Sequence, residues 1–444
     1  MQLIRKKGKI GKIIAHAALS LTCVATNVAH AKSANTSDGY FSKKYASVKN
    51  WADWSGEIGF LGYSESDGRV QALEPAVSLS AEFEGEKVWN FKLVYDSLTG
   101  SSPNGALASD QPQTFTSPSG NANYQIAPGE LPLYDQFIDT RVQISSSWSQ
   151  PLSRLMKGSI GFNASNEYDY LSLGLNASVT KETESKNTSF SLGLSYTSDT
   201  ISPVGGAPIP LAQMTPSGTA QAKSQGDESK TTLDILLGVL QIMSRSWIVQ
   251  ANLSVGLTDG YSNDPYKLVT VYDDAIGANL GDPLRYLFES RPDSRMKQSV
   301  FLGSKKQTNL GVLSTAYRYY TDDWGIDSHT LDLALNFKVS EKWRLEPNIR
   351  YYSQSGADFF RYGLGSSEAL PQHVTADTRL ADMTAITPGL KIIKKLKDEK
   401  ELSFLLQYYM QTGDSSPSTA VGSQVGQDLF PDLNALIVHV IYSF

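Results

Sequence analysis

Apolar and polar residues alternate with a period of two along most of this sequence, and that feature limits its fold most. In 170–180, apolar side chains at every odd position from Leu171 to Val179 alternate with Tyr, Ser, Gly and Asn. The same alternation recurs in 189–197, 247–257, 330–337, 343–351 and 436–444. Successive residues of a β-strand point to opposite faces, so the pattern predicts many strands with one apolar face each. After residue 31, no stretch holds the roughly 18 apolar residues of a transmembrane helix.

The amino terminus has the order of a secretory signal peptide. A basic segment precedes the mostly apolar Ile13–Val28, and Ala29-His30-Ala31 then gives the small-x-small pattern that signal peptidase accepts. The basic residues are Arg5, Lys6, Lys7, Lys9 and Lys12. Cys23 follows Ser20-Leu21-Thr22, which fits a lipidation box poorly, so we expect it to be a small apolar residue of the signal. We predict a signal peptide in 1–31 with cleavage near Ala31, a polar leader in 32–53 and one folded unit in 54–444.

The charge and the cysteine count exclude several classes of protein. Without residues 1–31 the chain has 34 Lys and Arg against 45 Asp and Glu, so it is acidic and we expect no nucleic-acid partner. Its one cysteine lies in the signal, which predicts no disulfide. His329, His373 and His439 lack the neighbouring ligands of a zinc site, so we expect no metal and no cofactor.

A soluble exported β-protein would also alternate, but other features favour a closed barrel in a Gram-negative outer membrane. Only 40% of the residues are hydrophobic, which suits strands that give half their residues to a polar lumen. Aromatic residues stand at the ends of several apolar faces, as interfacial girdles require. They are Trp54, Trp89, Tyr95, Tyr134, Trp148, Tyr196, Trp247, Tyr351 and Tyr442. The chain ends in alternating apolar residues, and we assign Tyr442 and Phe444 to a signal for the outer-membrane assembly machinery.

The turns allow the strands to be counted. Candidate strands lie near 55–65, 69–83, 87–98, 132–148, 154–165, 169–180, 187–198, 229–242, 247–258, 296–304, 309–321, 326–338, 343–354, 377–391, 401–412 and 434–444. They predict an all-β, antiparallel transmembrane β-barrel of about 16 strands; because 296–304 and 377–391 alternate poorly, 14 or 18 stays open. Connections alternate between short and long, with turns such as Gln150–Ser153 and long loops near 99–132, 199–228, 259–294, 355–376 and 413–432. We expect short periplasmic turns and long outer loops.

Several strings resemble domain of unknown function 3570, a family of uncharacterised exported Gram-negative proteins. The strings are Tyr95-Asp96-Ser97-Leu98-Thr99-Gly100-Ser101-Ser102-Pro103-Asn104-Gly105-Ala106, Asp139-Thr140-Arg141, Asp264-Pro265-Tyr266-Lys267, Glu289-Ser290-Arg291-Pro292-Asp293-Ser294-Arg295 and Tyr317–Thr330. The resemblance covers about 50–444. It implies a family and a cellular address but no activity, and no catalytic role is carried over from it.

Three local features invite a chemical reading, and each has a plainer one. Ser328-His329 suggests a hydrolase, but adjacent strand residues face opposite ways, so we expect His329 at the lipid-side rim. Asp322-Asp323 with Asp327 could hold calcium, although the EF-hand spacing is absent and Trp324-Gly325 suggests a turn. The loop 99–120 has no phosphate-binding lysine, and it is long enough to fold into the bore as a constriction.

Charged residues on the inner faces of the strands are the main candidate site. The predicted lumen-lining residues are Lys92, Asp96, Asp139, Arg141, Arg318, Asp332, Lys338, Arg344, Glu346 and Arg350. The turn near Ser340 places Asp332 directly across from Arg350 or one diagonal step away. We expect a charged ladder here, opposite in character to the Ser- and Gly-rich wall of 169–198. Whether the ladder guides a solute or only braces the barrel stays open.

These features favour a porin-like channel for small polar solutes, not an enzyme. The alternative is a barrel that does not transport, serving as an anchor or interaction scaffold for periplasmic or surface partners; an outer-membrane enzyme is third. The expected partners are outer-membrane lipid and lipopolysaccharide, the assembly machinery and a small polar solute.

Overall fold

The computed structural model describes residues 52–117 and 122–444, and for 135–137 it describes the backbone alone. The predicted signal peptide and the predicted polar leader, apart from residues 52 and 53, therefore lie outside the described residues. The strands are β1 (Asp53–Glu65), β2 (Gln71–Phe83), β3 (Lys87–Pro103), β4 (Gln113–Thr116), β5 (Asn123–Ile126), β6 (Leu133–Ser153), β7 (Met156–Asn166), β8 (Tyr170–Glu182), β9 (Thr188–Ile201), β10 (Glu228–Ser244), β11 (Trp247–Gly260), β12 (Leu268–Tyr272), β13 (Pro283–Phe288), β14 (Ser294–Gln307), β15 (Val312–Asp322), β16 (Asp327–Lys338), β17 (Trp343–Gln354), β18 (Leu364–Gly365), β19 (Met383–Lys395), β20 (Glu401–Gly413) and β21 (Leu433–Ser443). Two 3-10 helices, Thr378–Leu380 and Gly422–Gln424, complete the elements.

Sixteen of these strands form one closed antiparallel barrel, as the alternation predicted. Each pairs with its neighbour in chain order, and only β4, β5, β12, β13 and β18 lie outside the barrel. The seam joins β1 to β21, and beyond the last strand residue the Phe444 N–H donates to the Gly56 carbonyl at 2.9 Å while the Gly56 N–H returns a bond of 2.8 Å. Closure pairs the backbone groups that an open sheet would leave at its edges.

The outer surface of the barrel is apolar and exposed, which excludes a soluble sandwich. Leu171, Leu173 and Leu175 on β8 are all exposed, the last to 66%. A soluble fold would bury such a row, because each Å² of apolar surface left in water costs roughly 25 cal/mol. The same sequence alternation that would give a sandwich its core instead gives this barrel a surface suited to lipid.

All the long connections lie at one end of the barrel, here called the loop end. They are 104–132, 202–227, 261–293, 355–382 and 414–432, together called the loop cap. The opposite end, called the turn end, carries seven short turns, none longer than five residues. Among the residues described, no helix combines the length and the apolarity that crossing a bilayer would need.

The loop cap is a packed structure with its own core. Strands β12, β13 and β18 form a small sheet whose apolar core includes Val269, Val271 and Val374. At Gly105, with a φ of +90°, the first loop passes so close to β12 that a Cβ would lie 2.6 Å from the Leu268 carbonyl oxygen. Only glycine fits that approach without strain.

The cap also covers the inner wall of the barrel near the loop end. Inward-facing side chains at that end are buried on strands all round the barrel. They include Asp96 on β3, Arg141 on β6, Ser165 on β7, Ser172 on β8, Asp199 on β9, Ser299 on β14, Ser328 on β16, Gln354 on β17, Ala385 on β19 and Ala435 on β21. The cap therefore fills the loop half of the bore, and the turn half stays open to solvent.

Three local predictions were wrong. The segment 377–391 begins its strand only at Met383, because residues 378–380 form a 3-10 helix. Strand β6 continues to Ser153, where the turn Gln150–Ser153 was expected, and residues 99–103 of the predicted first loop belong to β3. The short strands of the cap were not predicted, because two to six residues are too few for a period to be read.

Candidate functional site

One wall of the open half of the bore carries charged pairs. Asp332 on β16 lies directly opposite Arg350 on β17, and the Arg350 Nε donates to an Asp332 carboxylate oxygen at 2.6 Å. The side chains remain 38% and 59% exposed, respectively. The turn near Ser340 allows two registers, and the structure has the one that places Asp332 and Arg350 directly opposite each other. The pair is solvated, so it can exchange its partner for a solute at little cost.

The wall continues toward the turn end with a partner that sequence reasoning missed. Arg344 donates to both carboxylate oxygens of Glu401 on β20, each at 2.7 Å. The prediction, which was based on the turn between β16 and β17, did not include β20. Lys338 lies opposite Arg344 and bonds instead to Glu341 in the turn. Glu346 accepts a hydrogen bond from the Asn336 amide at 2.7 Å. The spacing of charged residues along β16 and β17 could not reveal the contact between Arg344 and Glu401, because it joins β17 to β20 across β19.

Two further cations stand on this wall without an ion pair in the described parts of the chain. Arg318 on β15 lies over the Phe301 ring, 5.7 Å from its centre, and has no carboxylate within salt-bridge distance. Lys391 on β19, which was not among the predicted residues, lies opposite Glu346 in the register. Lys92 shares the inward parity of β3 farther round the barrel.

The predicted residues Asp96, Asp139 and Arg141 lie nearer the loop end of the barrel, beneath the cap. Arg141 contacts Asp96 at 3.0 Å and Glu74 at 3.8 Å, with its side chain almost wholly buried. Asp139 is also buried. These groups therefore form a separate buried cluster at the loop end and do not join the solvated ladder.

The facing wall is small and polar. On β8 the inward positions are Ser172, Gly174, Asn176, Ser178 and Thr180, and β7 and β9 continue the same composition. Thr180 and Ser191 share a hydrogen bond of 3.0 Å across the strands. The bore is thus charged on one side and neutral on the other.

A second set of charges is buried in the loop cap, here called the cap cluster. It consists of Asp264, Lys267, Glu289, Arg291, Asp377 and Arg379, three acids and three bases drawn from two loops. Arg291 donates to Glu289 at 3.0 Å and to Asp377 at 2.8 Å. Arg379 reaches Asp264 at 2.8 Å, and Lys267 donates to the carbonyl of Pro103, the last residue of β3, at 2.5 Å. The cluster ties two loops of the cap to each other and to the end of β3.

Burial and the opposite charges act against each other in the cap cluster. Burial would raise the pKa of Asp377, but Arg379, Lys267 and Arg291 hold that pKa well below its usual range. Burial raises the pKa of Glu289 in spite of Arg291 beside it. Burial lowers the pKa of Lys267. Asp377 is therefore the acid that the cluster holds most firmly in its charged form.

The other predicted positions have structural surroundings. Ser328 is buried inside, whereas the His329 ring lies outside within 2.7 Å of the Tyr317 hydroxyl. Asp322 accepts from Arg295 at 2.8 Å and from two backbone N–H groups of its own turn. Across 52–117 and 122–444, no three His, Cys, Asp or Glu residues are grouped as metal ligands. Residues 104–117 of the predicted loop 99–120 belong to the cap, where the Leu107 N–H donates to Thr270 at 2.9 Å.

At the seam, Phe444 is exposed and its ring stacks on Tyr442 with centres 5.8 Å apart. Both rings share the outward parity of Leu436 and Val440. The placement suits a residue at the lipid interface.

Closure, apolar exterior and polar bore together define a transmembrane β-barrel of the outer-membrane type. The chain belongs to the family described as "Protein of unknown function (DUF3570)", whose model matches residues 13–444, and the predicted resemblance is confirmed. No curated protein sequence matches the chain.

Solved barrels resemble the chain at low identity. The siderophore receptor PirA from Acinetobacter baumannii is 10% identical over 86% of this chain and 57% of that one, with a TM-score of 0.41. The ferric enterobactin receptor PfeA from Pseudomonas aeruginosa is 12% identical over 88% and 60%, with a TM-score of 0.39. A bacterial polysaccharide outer membrane secretin is 8% identical over 88% and 97%, with a TM-score of 0.41. This chain thus spans about three fifths of the length of the two receptors, and TM-scores this low carry no inference about function.

Proposed function

We propose that the protein is an outer-membrane channel for small polar solutes, with the loop cap as its barrier. The observation that carries the proposal is the solvated ion pair Asp332–Arg350 on the wall of an open half-bore. A barrel of 16 strands is wide enough for an aqueous path. A lumen that served only as a brace would need neither solvated charges nor a neutral facing wall.

Conductance in planar lipid bilayers tests the channel. The wild-type protein is compared with Arg291→Ala, which removes the arginine that joins two acids of the cap cluster. We expect low conductance from the wild type and higher conductance from Arg291→Ala, because the loosened cap opens the path. Arg154→Ala, in an exposed turn pair with Glu184, is the matched control and should behave as wild type. If Arg291→Ala conducts no more than a protein-free bilayer while its barrel stays folded on a gel, the channel proposal is wrong.

The closed loop half favours a second candidate, a barrel that does not transport. Because the cap covers inward residues on strands all round the barrel, residues 52–117 and 122–444 form a cup whose open end is the turn end. Such a cup could anchor or receive a periplasmic partner. Absence of conductance in the wild type and in Arg291→Ala, each with a folded barrel, would support this candidate over the channel.

We propose the outer membrane of a Gram-negative bacterium as the location, with lipid and lipopolysaccharide around the apolar exterior. The carboxyl-terminal strand, ending in Phe444, would be the segment that the assembly machinery reads. The exposed apolar faces of the strands support a lipid environment.

A further inference from the structure

Two strands of the charged wall carry nearly the same five-residue string. Strand β15 ends in Arg318-Tyr319-Tyr320-Thr321-Asp322, and β17 ends in Arg350-Tyr351-Tyr352-Ser353-Gln354. In each string the arginine and the second tyrosine face the bore, while the first tyrosine faces outward. Each string therefore places a cation and an aromatic ring one above the other inside the barrel.

Strand β16 lies between them and brings parts of the two strings to one level. Arg318 lies opposite Thr330, and Thr330 lies opposite Tyr352. Two strand spacings of about 4.8 Å separate the backbones of Arg318 and Tyr352 by roughly 10 Å. The small Thr330 side chain forms the floor between them. Asp332 and Arg350 border this space on the turn side, and Ser328 borders it on the loop side.

The tyrosine of this space is held in place. The Tyr352 hydroxyl donates to Gln354 at 2.6 Å, and the Gln354 amide in turn donates to the Ala381 carbonyl of the cap at 2.7 Å. Its ring keeps one orientation, so a ligand that stacks on it loses little side-chain entropy from the protein. Arg318, by contrast, forms no ion pair within the described residues, so its guanidinium can accept an anion from solution.

We propose that Arg318, Thr330 and Tyr352 form a binding subsite for a small organic anion that carries a flat ring, such as an aromatic carboxylate. The carboxylate would contact the planar guanidinium of Arg318, whose paired N–H groups match its two oxygens. The ring would lie against Tyr352, since aromatic rings prefer offset or edge contacts with their centres about 4.5–7 Å apart. The subsite deepens the proposed function by naming its solute class, although binding itself requires no conduction.

Isothermal titration of the purified full chain in detergent tests the subsite. Benzoate is the probe, acetate supplies the charge without the ring, and benzyl alcohol supplies the ring without the charge. We expect benzoate to bind at least about tenfold more tightly than either, since one well-placed contact accounts for about that factor. Arg318→Gln and Tyr352→Leu should each weaken benzoate binding by about tenfold or more.

The chain offers matched controls. Strand β20 contains Gln407-Tyr408-Tyr409-Met410-Gln411, where Tyr409 faces inward and bonds to Gln411 at 2.7 Å. The arginine at its level two strands away, Arg350, is already paired with Asp332, so it is not free for an anion as Arg318 is. Tyr409→Leu and the outward Tyr351→Leu should leave benzoate affinity unchanged. Equal affinity for acetate and benzoate, or equal losses in Tyr352→Leu and Tyr409→Leu, would overturn the subsite.

The outcomes also separate the subsite from the channel. Benzoate binding without conductance, in the wild type and in Arg291→Ala alike, would leave the subsite in place within a closed cup and reject the channel. Conductance without selective benzoate binding would retain the channel and reject the subsite. Heat-modifiable gel mobility of every variant checks that its barrel has folded, so that a lost affinity reports on the contact itself.

Discussion

Two arginines in this molecule make similar contacts in opposite surroundings. The Arg350 side chain is 59% exposed in its pair with Asp332, whereas the Arg291 side chain is 1% exposed between Glu289 and Asp377. A solvated pair contributes under about 1 kcal/mol to stability. Removing one partner of a buried pair costs about 3–5 kcal/mol, because it leaves a charge buried without compensation. Arg350 is therefore suited to contacts with a solute and Arg291 to holding loops together.

Arg350→Ala should change the ion selectivity of the bore and leave thermal stability nearly unchanged. The substitution removes one positive charge from a solvated wall, so the reversal potential in a salt gradient should shift toward cations. The matched control is Arg154→Ala, which removes the same charge from an exposed turn. A drop in unfolding temperature without any shift in reversal potential would mean that the ladder is a brace.

The cap cluster should resist mild acid. The folded state lowers the pKa of Asp377 below the unfolded value of about 3.9, so its contribution to stability is complete above that value. That contribution is lost as the pH falls through the lowered pKa. Glu289 causes no loss on the acid side: burial raises its pKa in the folded state, so its protonation at lower pH favours folding.

Hydrogen exchange of residues 261–293, corrected for intrinsic rates, measures this effect. We expect protection at about pH 5 at least equal to that at neutral pH, with loss beginning only below the unfolded-state value of about 3.9. In Asp377→Asn the loss at low pH should be absent and protection should be weaker throughout. Loss of wild-type protection already near pH 5 would contradict the lowered pKa.

At the scale of the element, the barrel is completed by Phe444, the residue that follows β21. Phe444 contributes two backbone hydrogen bonds to Gly56 and an exposed ring stacked on Tyr442. Deleting Phe444 should reduce membrane assembly, measured as the fraction of protein with heat-modifiable mobility. Phe444→Trp keeps the backbone bonds and an interfacial ring, and it should assemble as wild type. Normal assembly of the deletion variant would remove the assigned role from this residue.

Barrel strands could be predicted from the sequence, and the cap could not, for a physical reason. Strand β8 has one face in lipid and one in a polar lumen, so Leu171–Val179 shows the period directly. Strand β12 lies within the packed cap, and three of its five residues, Val269, Thr270 and Val271, are at most 1% exposed, so no face is left to alternate. The cap cluster likewise gave no spacing signal, although Asp264–Lys267 and Glu289–Arg291 fall within the strings that resemble the family.

The candidate site shows the same division. Asp332 and Arg350 lie on the two strands of one hairpin, so the position of its turn limited their register to two choices. Arg344 and Glu401 are 57 residues apart on strands separated by β19, and their contact depends on how two registers combine. Long-range pairs of this kind need the assembled sheet.

At the scale of the whole molecule, the loop end and the turn end are unequal. We expect the loop end to face the cell exterior and the turn end to face the periplasm. The one cysteine of the sequence, Cys23, lies in the predicted signal, so single introduced cysteines report position cleanly. Ser418→Cys, exposed in the cap, should react with a membrane-impermeant maleimide on intact cells. Ser185→Cys, exposed in a turn, should react only after the outer membrane is opened, and the reverse pattern would invert the orientation.

The seam between Gly56 and Phe444 links residues near the two ends of the described chain. Because β1 and β21 lie far apart in the sequence, hairpins that form locally cannot finish the wall, which needs the pairing of these two strands. Contacts between residues nearly 390 positions apart form slowly, because loop-closure entropy is lost before they add stability. Until the seam forms, β1 and β21 each present an unpaired edge that can pair with another chain. Closure removes both edges in one step, so the seam also protects the molecule from aggregation through its edges.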